Sequence, residues 1–159
     1  MKTIAKSFGI SPRKSRAAIV TFSDSTASLY ASLDSFSSTS DFDKAVSSLR
    51  YGRGRGDLSQ ALKLAKEQVF TKARKEVAKI AVVILDGNEE KDVRWRNSVL
   101  SSRKEGVRVL LVVVGSEVKG ASLRALVQND GDVIAIDSFI GLLKNSVEIA
   151  KSTCDAASK

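Results

Sequence analysis

Residues 79–87, Lys-Ile-Ala-Val-Val-Ile-Leu-Asp-Gly, leave the chain few folds to choose from. An unbroken apolar run of this length, closed by a carboxylate and a glycine, is a strand buried on both faces whose end opens into a loop. Residues 107–114 repeat the pattern and end in Gly115-Ser116. Strands of this kind belong to parallel sheets covered by helices, and ligands of open α/β sheets bind beyond the carboxyl ends of the strands. Asp86 is therefore placed where a metal or polar ligand would be held, and a simple Asp86-Gly87 turn accounts for the same two residues.

The rest of the chain fits around these runs. Residues 17–22 read as a strand and 23–25 as a turn. Ala27, Leu29, Ala31 and Leu33 then alternate with polar positions, as in a strand with one wet face. So short a turn makes the pair antiparallel, with the second strand at the sheet edge. Phe42, Ala45, Val46 and Leu49 form a helical stripe, with Ser40 and Asp43 as its capping pair. Gly52, Gly54 and Gly56 break regular structure, and Asp57 is suited to cap a helix bearing Leu58, Ala61, Leu62, Ala65 and Val69 on one face. Near the start, Ile4 and Phe8 lie at helical spacing, with Gly9 as a left-handed stop. Further helices are expected over 92–104, with Trp95, around Leu123, Leu126 and Val127, and along Ile140, Leu143, Val147 and Ala150; 132–136 reads as a short strand. The expected fold class is α/β: a doubly wound, mostly parallel sheet with one antiparallel edge strand and helices on both faces. It forms a single domain over 1–153 with a tail at 154–159.

Composition removes whole classes of chemistry. With no histidine, the commonest general base and metal ligand is missing, and a Ser-His nucleophile is excluded. With Cys154 as the single cysteine, zinc clusters, Cys-His nucleophiles and internal disulfides go together. The three alternating glycines fit neither the dinucleotide fingerprint nor the P-loop. Asp24, Asp34, Glu89 and Glu90 lie in polar loops near strand ends, where solvent keeps carboxylates ordinary. No apolar run reaches the roughly 18 residues that span a bilayer, and the first residues lack a signal peptide's apolar core. A net charge of +8 suits an acidic partner, which charge alone does not identify. Arg55-Gly56-Asp57 spells an integrin-type attachment tripeptide, whose competing role is to turn the backbone and cap the helix.

The chain resembles a von Willebrand factor type A domain of the matrix collagen and matrilin subgroup. The resemblance rests on stretches in the family's order: Phe8-Gly-Ile-Ser-Pro-Arg-Lys-Ser-Arg-Ala-Ala-Ile-Val-Thr-Phe-Ser23, Leu49-Arg-Tyr-Gly-Arg-Gly, Ala61-Leu-Lys-Leu-Ala65, Val82-Val-Ile-Leu-Asp-Gly87, Gly106-Val-Arg-Val-Leu-Leu-Val-Val-Val-Gly115 and the segment 123–137. It implies a sheet that binds protein partners at the carboxyl ends of its parallel strands. In many members an ion is held there by an Asp-x-Ser-x-Ser loop after the first strand, a threonine in a later loop and an aspartate ending the fourth strand. Asp86 matches that aspartate. The threonine position falls on Gly56, and Met1 aligns inside the helix that follows the first strand and its loop. A lone carboxylate is a poor magnesium or calcium site, since such cations need several oxygens at once.

The resemblance thus implies a non-enzymatic adhesion or matrix module, secreted as a piece of a larger protein, N-terminally truncated, with a degenerate metal-ion-dependent adhesion site in which Asp86 is a remnant. No cofactor is expected; magnesium or calcium would bind only if the missing ligands were supplied. The contact surface would comprise Asp86, Gly87, Gly54, Arg55, Gly56, Asp57 and Asp24, its partner an extracellular-matrix or other anionic protein, and the unpaired sheet would allow self-association. In the subgroup, cysteines near both domain ends often pair, which sets a disulfide for Cys154 against a free thiol. The alternative is an intracellular, cytoplasmic nucleic-acid-binding or complex-assembly protein that uses the same fold through its basic surface.

Overall fold

A computed structural model describes residues 6, 8–23, 26–50, 52, 56–86, 93–115, 123–124, 127, 129–138, 140–141 and 145–157. Two compact units divide the chain, Met1–Val77 and Ala78–Lys159.

In the first unit, β1 (Ile19–Ser23) and β2 (Thr26–Ala31) form a two-stranded antiparallel sheet. Thr26, Ser28 and Tyr30 are exposed while Ala27 and Leu29 are half-buried, which is the expected alternation. Two helices follow, α1 (Thr39–Ser47) and α2 (Leu58–Gln68), and α2 packs on both strands. Ile10, Ile19, Ala31, Phe36 and Phe42 make one buried cluster, with Ala17, Ala45, Val46 and Leu49 against it. At its centre the Phe36 and Phe42 rings meet edge to face, centroids 5.2 Å apart, the geometry favoured by aromatic quadrupoles. The Ile10 amide donates to Thr39 Oγ1 at 3.0 Å, tying the segment before β1 to the start of α1.

The cap of α1 differs from the expected Ser40–Asp43 pair. Ser38 is the N-cap, its hydroxyl accepting from the Asp41 amide at 3.2 Å. Several hydroxyl residues in a row offer the same capping chemistry, and the one chosen is set by where Phe42 must enter the core. Lys6 and Phe8 are helical, and Gly9 follows with φ of +57°, the left-handed stop the sequence indicates.

The second unit holds a three-stranded parallel sheet in the order β3 (Lys79–Asp86), β4 (Val107–Val114), β5 (Val133–Ile136). β4 lies between the other two, and its residues are buried throughout except for the half-buried Arg108. Full burial of such a side chain contributes about 1.5–3 kcal/mol, so β4 anchors the unit. Helix α3 (Val93–Lys104) packs on β4 through the buried Trp95 and Val99, and α4 (Ser146–Ala157) packs on β3 and β4. Gly106 supplies the positive φ of 78° that ends α3, its amide donating to the Arg103 carbonyl at 3.0 Å. The expected stripe of Ile140, Val147 and Ala150 is out of phase with the structure, and its Leu143 lies outside the described residues. Ile149, Ala150 and Thr153 are buried, whereas Ile140 and Val147 are exposed; α4 begins only at Ser146, so residues 140 and 147 do not share one helix face.

Among the described residues β1 pairs only with β2, and β3 only with β4. The mixture of parallel and antiparallel strands with helices is the α/β class expected from the sequence.

Candidate functional site

The glycine-rich loop and the capped helix after it belong to the first unit. Gly52 passes so close to Ser23, the last residue of β1, that a Cβ built on it would stand 2.5 Å from the Ser23 hydroxyl. Only glycine fits this approach, which holds the loop against the carboxyl end of β1. Four residues on, Gly56 and Asp57 are half-buried. Asp57 is the N-cap of α2, its Oδ1 accepting from the amides of Ser59 at 2.9 Å and Gln60 at 3.3 Å and from the Ser59 hydroxyl. A carboxylate at that position satisfies orphan amides and complements the helix dipole. The Asp57 of the attachment tripeptide is thus engaged with its own helix.

In the second unit Asp86 is the last residue of β3, paired across the sheet with Val114. Because the three strands are parallel, Gly115 and Asp137 follow β4 and β5 at that same end. The Gly115 amide donates to the Ile136 carbonyl at 2.8 Å and closes this edge, and Asp137 is exposed just beyond it. Asp137 was not singled out by its sequence context, where it is one polar residue after a short strand. Asp24, Gly54, Arg55, Gly87, Glu89 and Glu90 lie outside the described residues.

Among the described residues the donor set at these strand ends is sparse for a divalent metal. Gly56 has no side-chain oxygen, Asp57 is occupied as a cap, and among the described residues no three His, Cys, Asp or Glu side chains are grouped to hold an ion. Hard cations require about six oxygen ligands.

The best-built carboxylate site has a different purpose and escaped the sequence pattern. Asp132, 1% exposed, receives a fork from Arg108 on β4, with Nε at 3.0 Å from Oδ2 and Nη2 at 2.7 Å from Oδ1. Asn129 adds its amide to Oδ2 at 3.3 Å, and Arg108 Nη1 reaches the Asp155 carbonyl in α4 at 3.4 Å. The hydrogen bond to Asp132 raises the Arg108 pKa above its ordinary value, outweighing the opposing effect of burial. This ion pair ties β4, the turn before β5 and α4 together. One cue was available: a lone arginine inside an otherwise apolar strand needs a buried partner.

Residues 1–147 match the family model described as von Willebrand factor type A domain. The human collagen alpha-1(XXI) chain is 28% identical over 154 residues, covering 96% of this chain and 16% of its own length. Cuticlin-6 of Caenorhabditis elegans is 29% identical over 136 residues, 86% of this chain and 23% of its own. Proximal thread matrix protein 1 from the mussel byssus, solved with a zinc-occupied MIDAS motif, superimposes with a TM-score of 0.83 at 27% identity, over 97% of this chain and 39% of that one. The chain therefore spans only a fraction of the length of these relatives. With its order of strands and helices and a match over 1–147, this chain belongs to the von Willebrand factor type A domain family.

Proposed function

We propose that this chain is a non-enzymatic adhesion or matrix-interaction module with a degenerate metal site. The supporting relatives are a collagen, a cuticlin and a byssus matrix protein, and they point to an extracellular setting. Among the described residues no helix is long and apolar enough to cross a membrane. The observation that carries the degenerate-site reading is Asp57 engaged as a helix cap beside Gly56, at the loop where the family's threonine ligand would stand.

The proposed contact groups are Asp24 and the loop from Gly54 to Asp57 in the first unit, and Asp86 and Gly87 in the second. Residues 1–153 act as one domain. The outer edge of β3 offers a place for self-association by strand pairing, which light scattering coupled to size exclusion reads directly.

Immobilised collagen and matrix glycoproteins, presented to the purified chain with and without EDTA, test the reading. Binding should persist in EDTA and weaken on Asp86→Ala. Binding abolished by EDTA, or a clear rise in Tm at millimolar magnesium, manganese or calcium, means that a working metal site exists and the proposal is wrong. Loss of cell adhesion on Asp57→Glu would add integrin-type attachment to the function; unchanged adhesion removes it.

A further inference from the structure

The opposite end of the first unit carries a feature that the adhesion reading does not use. Residues 11–16 form a tight turn in which the Ser11 amide donates to the Ser15 carbonyl at 3.1 Å and the Lys14 amide to the Ser11 carbonyl at 3.2 Å. Arg16 Nε donates to the Pro12 carbonyl at 3.2 Å across the same turn. Residues 72–76 follow a single 3-10 turn, Phe70–Lys72, and are bent by Glu76 at a φ of +59°. Arg74 joins the two segments, its Nη2 donating to the Lys14 carbonyl at 2.5 Å. Both loops therefore present their side chains from fixed backbones.

What they present is positive charge. Arg13, Lys14, Lys72, Arg74 and Lys75 are all exposed, and among the described residues none of the five has a carboxylate partner. Arg16 pairs with the exposed Asp34 at 2.8 Å, and Glu76 is the other carboxylate of the two loops and their contacts. Six cations thus stand against two carboxylates. Since residues 11–16 lead into Ile19, the cluster lies at the amino end of β1, away from Ser23 and Gly52.

We propose that these two loops form a binding surface for a sulfated glycosaminoglycan. A linear polyanion suits several cations gathered on two joined loops, because its repeated sulfates release counterions along the whole contact and the guanidinium fork matches an oxyanion. Nucleic acid is the poorer match. Residues 11–16 and 71–77 contain no aromatic side chain on which bases would stack. The choice of glycan rests on the matrix reading above, while the site itself does not involve the carboxyl ends of the strands.

Calorimetric titration of the intact chain with a heparin dodecasaccharide, repeated across salt concentrations, tests the proposal. Lys72→Glu with Lys75→Glu should weaken binding by roughly tenfold and flatten the salt dependence. Lys44→Glu with Lys63→Glu makes the same charge change on exposed positions of α1 and α2 and should cost less than about twofold. Circular dichroism and the thermal transition check that each variant folds. If the reversals at 72 and 75 perturb folding, Lys72→Gln with Lys75→Gln takes their place.

Equal losses in the two double variants would reduce the effect to net charge and overturn the site. So would absence of heparin binding by the wild-type chain, or tighter binding to a single-stranded DNA oligonucleotide of matched charge. Asp86→Ala and EDTA should leave heparin binding unchanged. Failure of the wild-type chain to bind matrix proteins, or loss of that binding in EDTA, with heparin binding intact therefore refutes the adhesion reading alone.

Discussion

Strands β2 and β4 solve the same problem in opposite ways. β2 alternates Ser28 and Tyr30, exposed, with half-buried Ala27 and Leu29, and relies on α2 to cover its inner face. β4 is buried almost end to end, has a hydrogen-bonded neighbour on each side and carries its one charge, Arg108, into a fork with a buried aspartate. The second unit therefore draws much of its core from one central strand, whereas the first gathers its core from several segments, in the cluster of Ile10, Ile19, Ala31, Phe36 and Phe42. A residue's substitution cost should follow its strand's position more than its own hydrophobicity.

That contrast breaks most easily at β4. Leu110→Ala removes a side chain with 0% exposure and should lower unfolding stability by about 3 kcal/mol, measured by urea denaturation. If Leu29→Ala on β2 costs as much, the two strands are equivalent and the contrast is lost. Next comes Asp132→Ala, which strands the Arg108 guanidinium at 13% exposure and should cost about 3 kcal/mol. Replacing both partners by apolar residues should recover much of that loss; if it does not, packing rather than charge dominates the site. In the first unit Asp57→Ala removes the cap of α2 and should cost about 1 kcal/mol. Tyr30→Ala, at an exposed position of β2, should fall within about 0.5 kcal/mol of the wild type.

The features legible in the sequence were those with a local cause. The continuous apolar runs located β3 and β4, the alternation located β2, and Asp57 before an apolar stripe located the cap of α2. Asp86 was likewise placed at a strand end by its own neighbours. Choices that depend on distant residues were not legible. Ser38 rather than Ser40 caps α1 because the docking of Phe42 selects among chemically similar hydroxyls. Asp132 finds Arg108 from 24 residues away, which no spacing rule encodes. Arg74 reaches Lys14 across 60 residues, so two basic stretches that read as ordinary solvated surface become one cluster. For α4, the buried set of Ile149, Ala150 and Thr153 depends on the helix starting at Ser146, a boundary without a strong local signal.

The self-association proposed for the outer edge of β3 has a consequence for heating. Among the described residues this strand has one neighbour, and it offers Ile80, Ala81, Val82 and Ile84 only half-buried, with no proline or interior charge to discourage a second strand from adding. If the strand pairing proposed for this edge occurs between partly opened molecules, melting should depend on scan rate and protein concentration. Durability would then be measured as a lifetime at a given temperature.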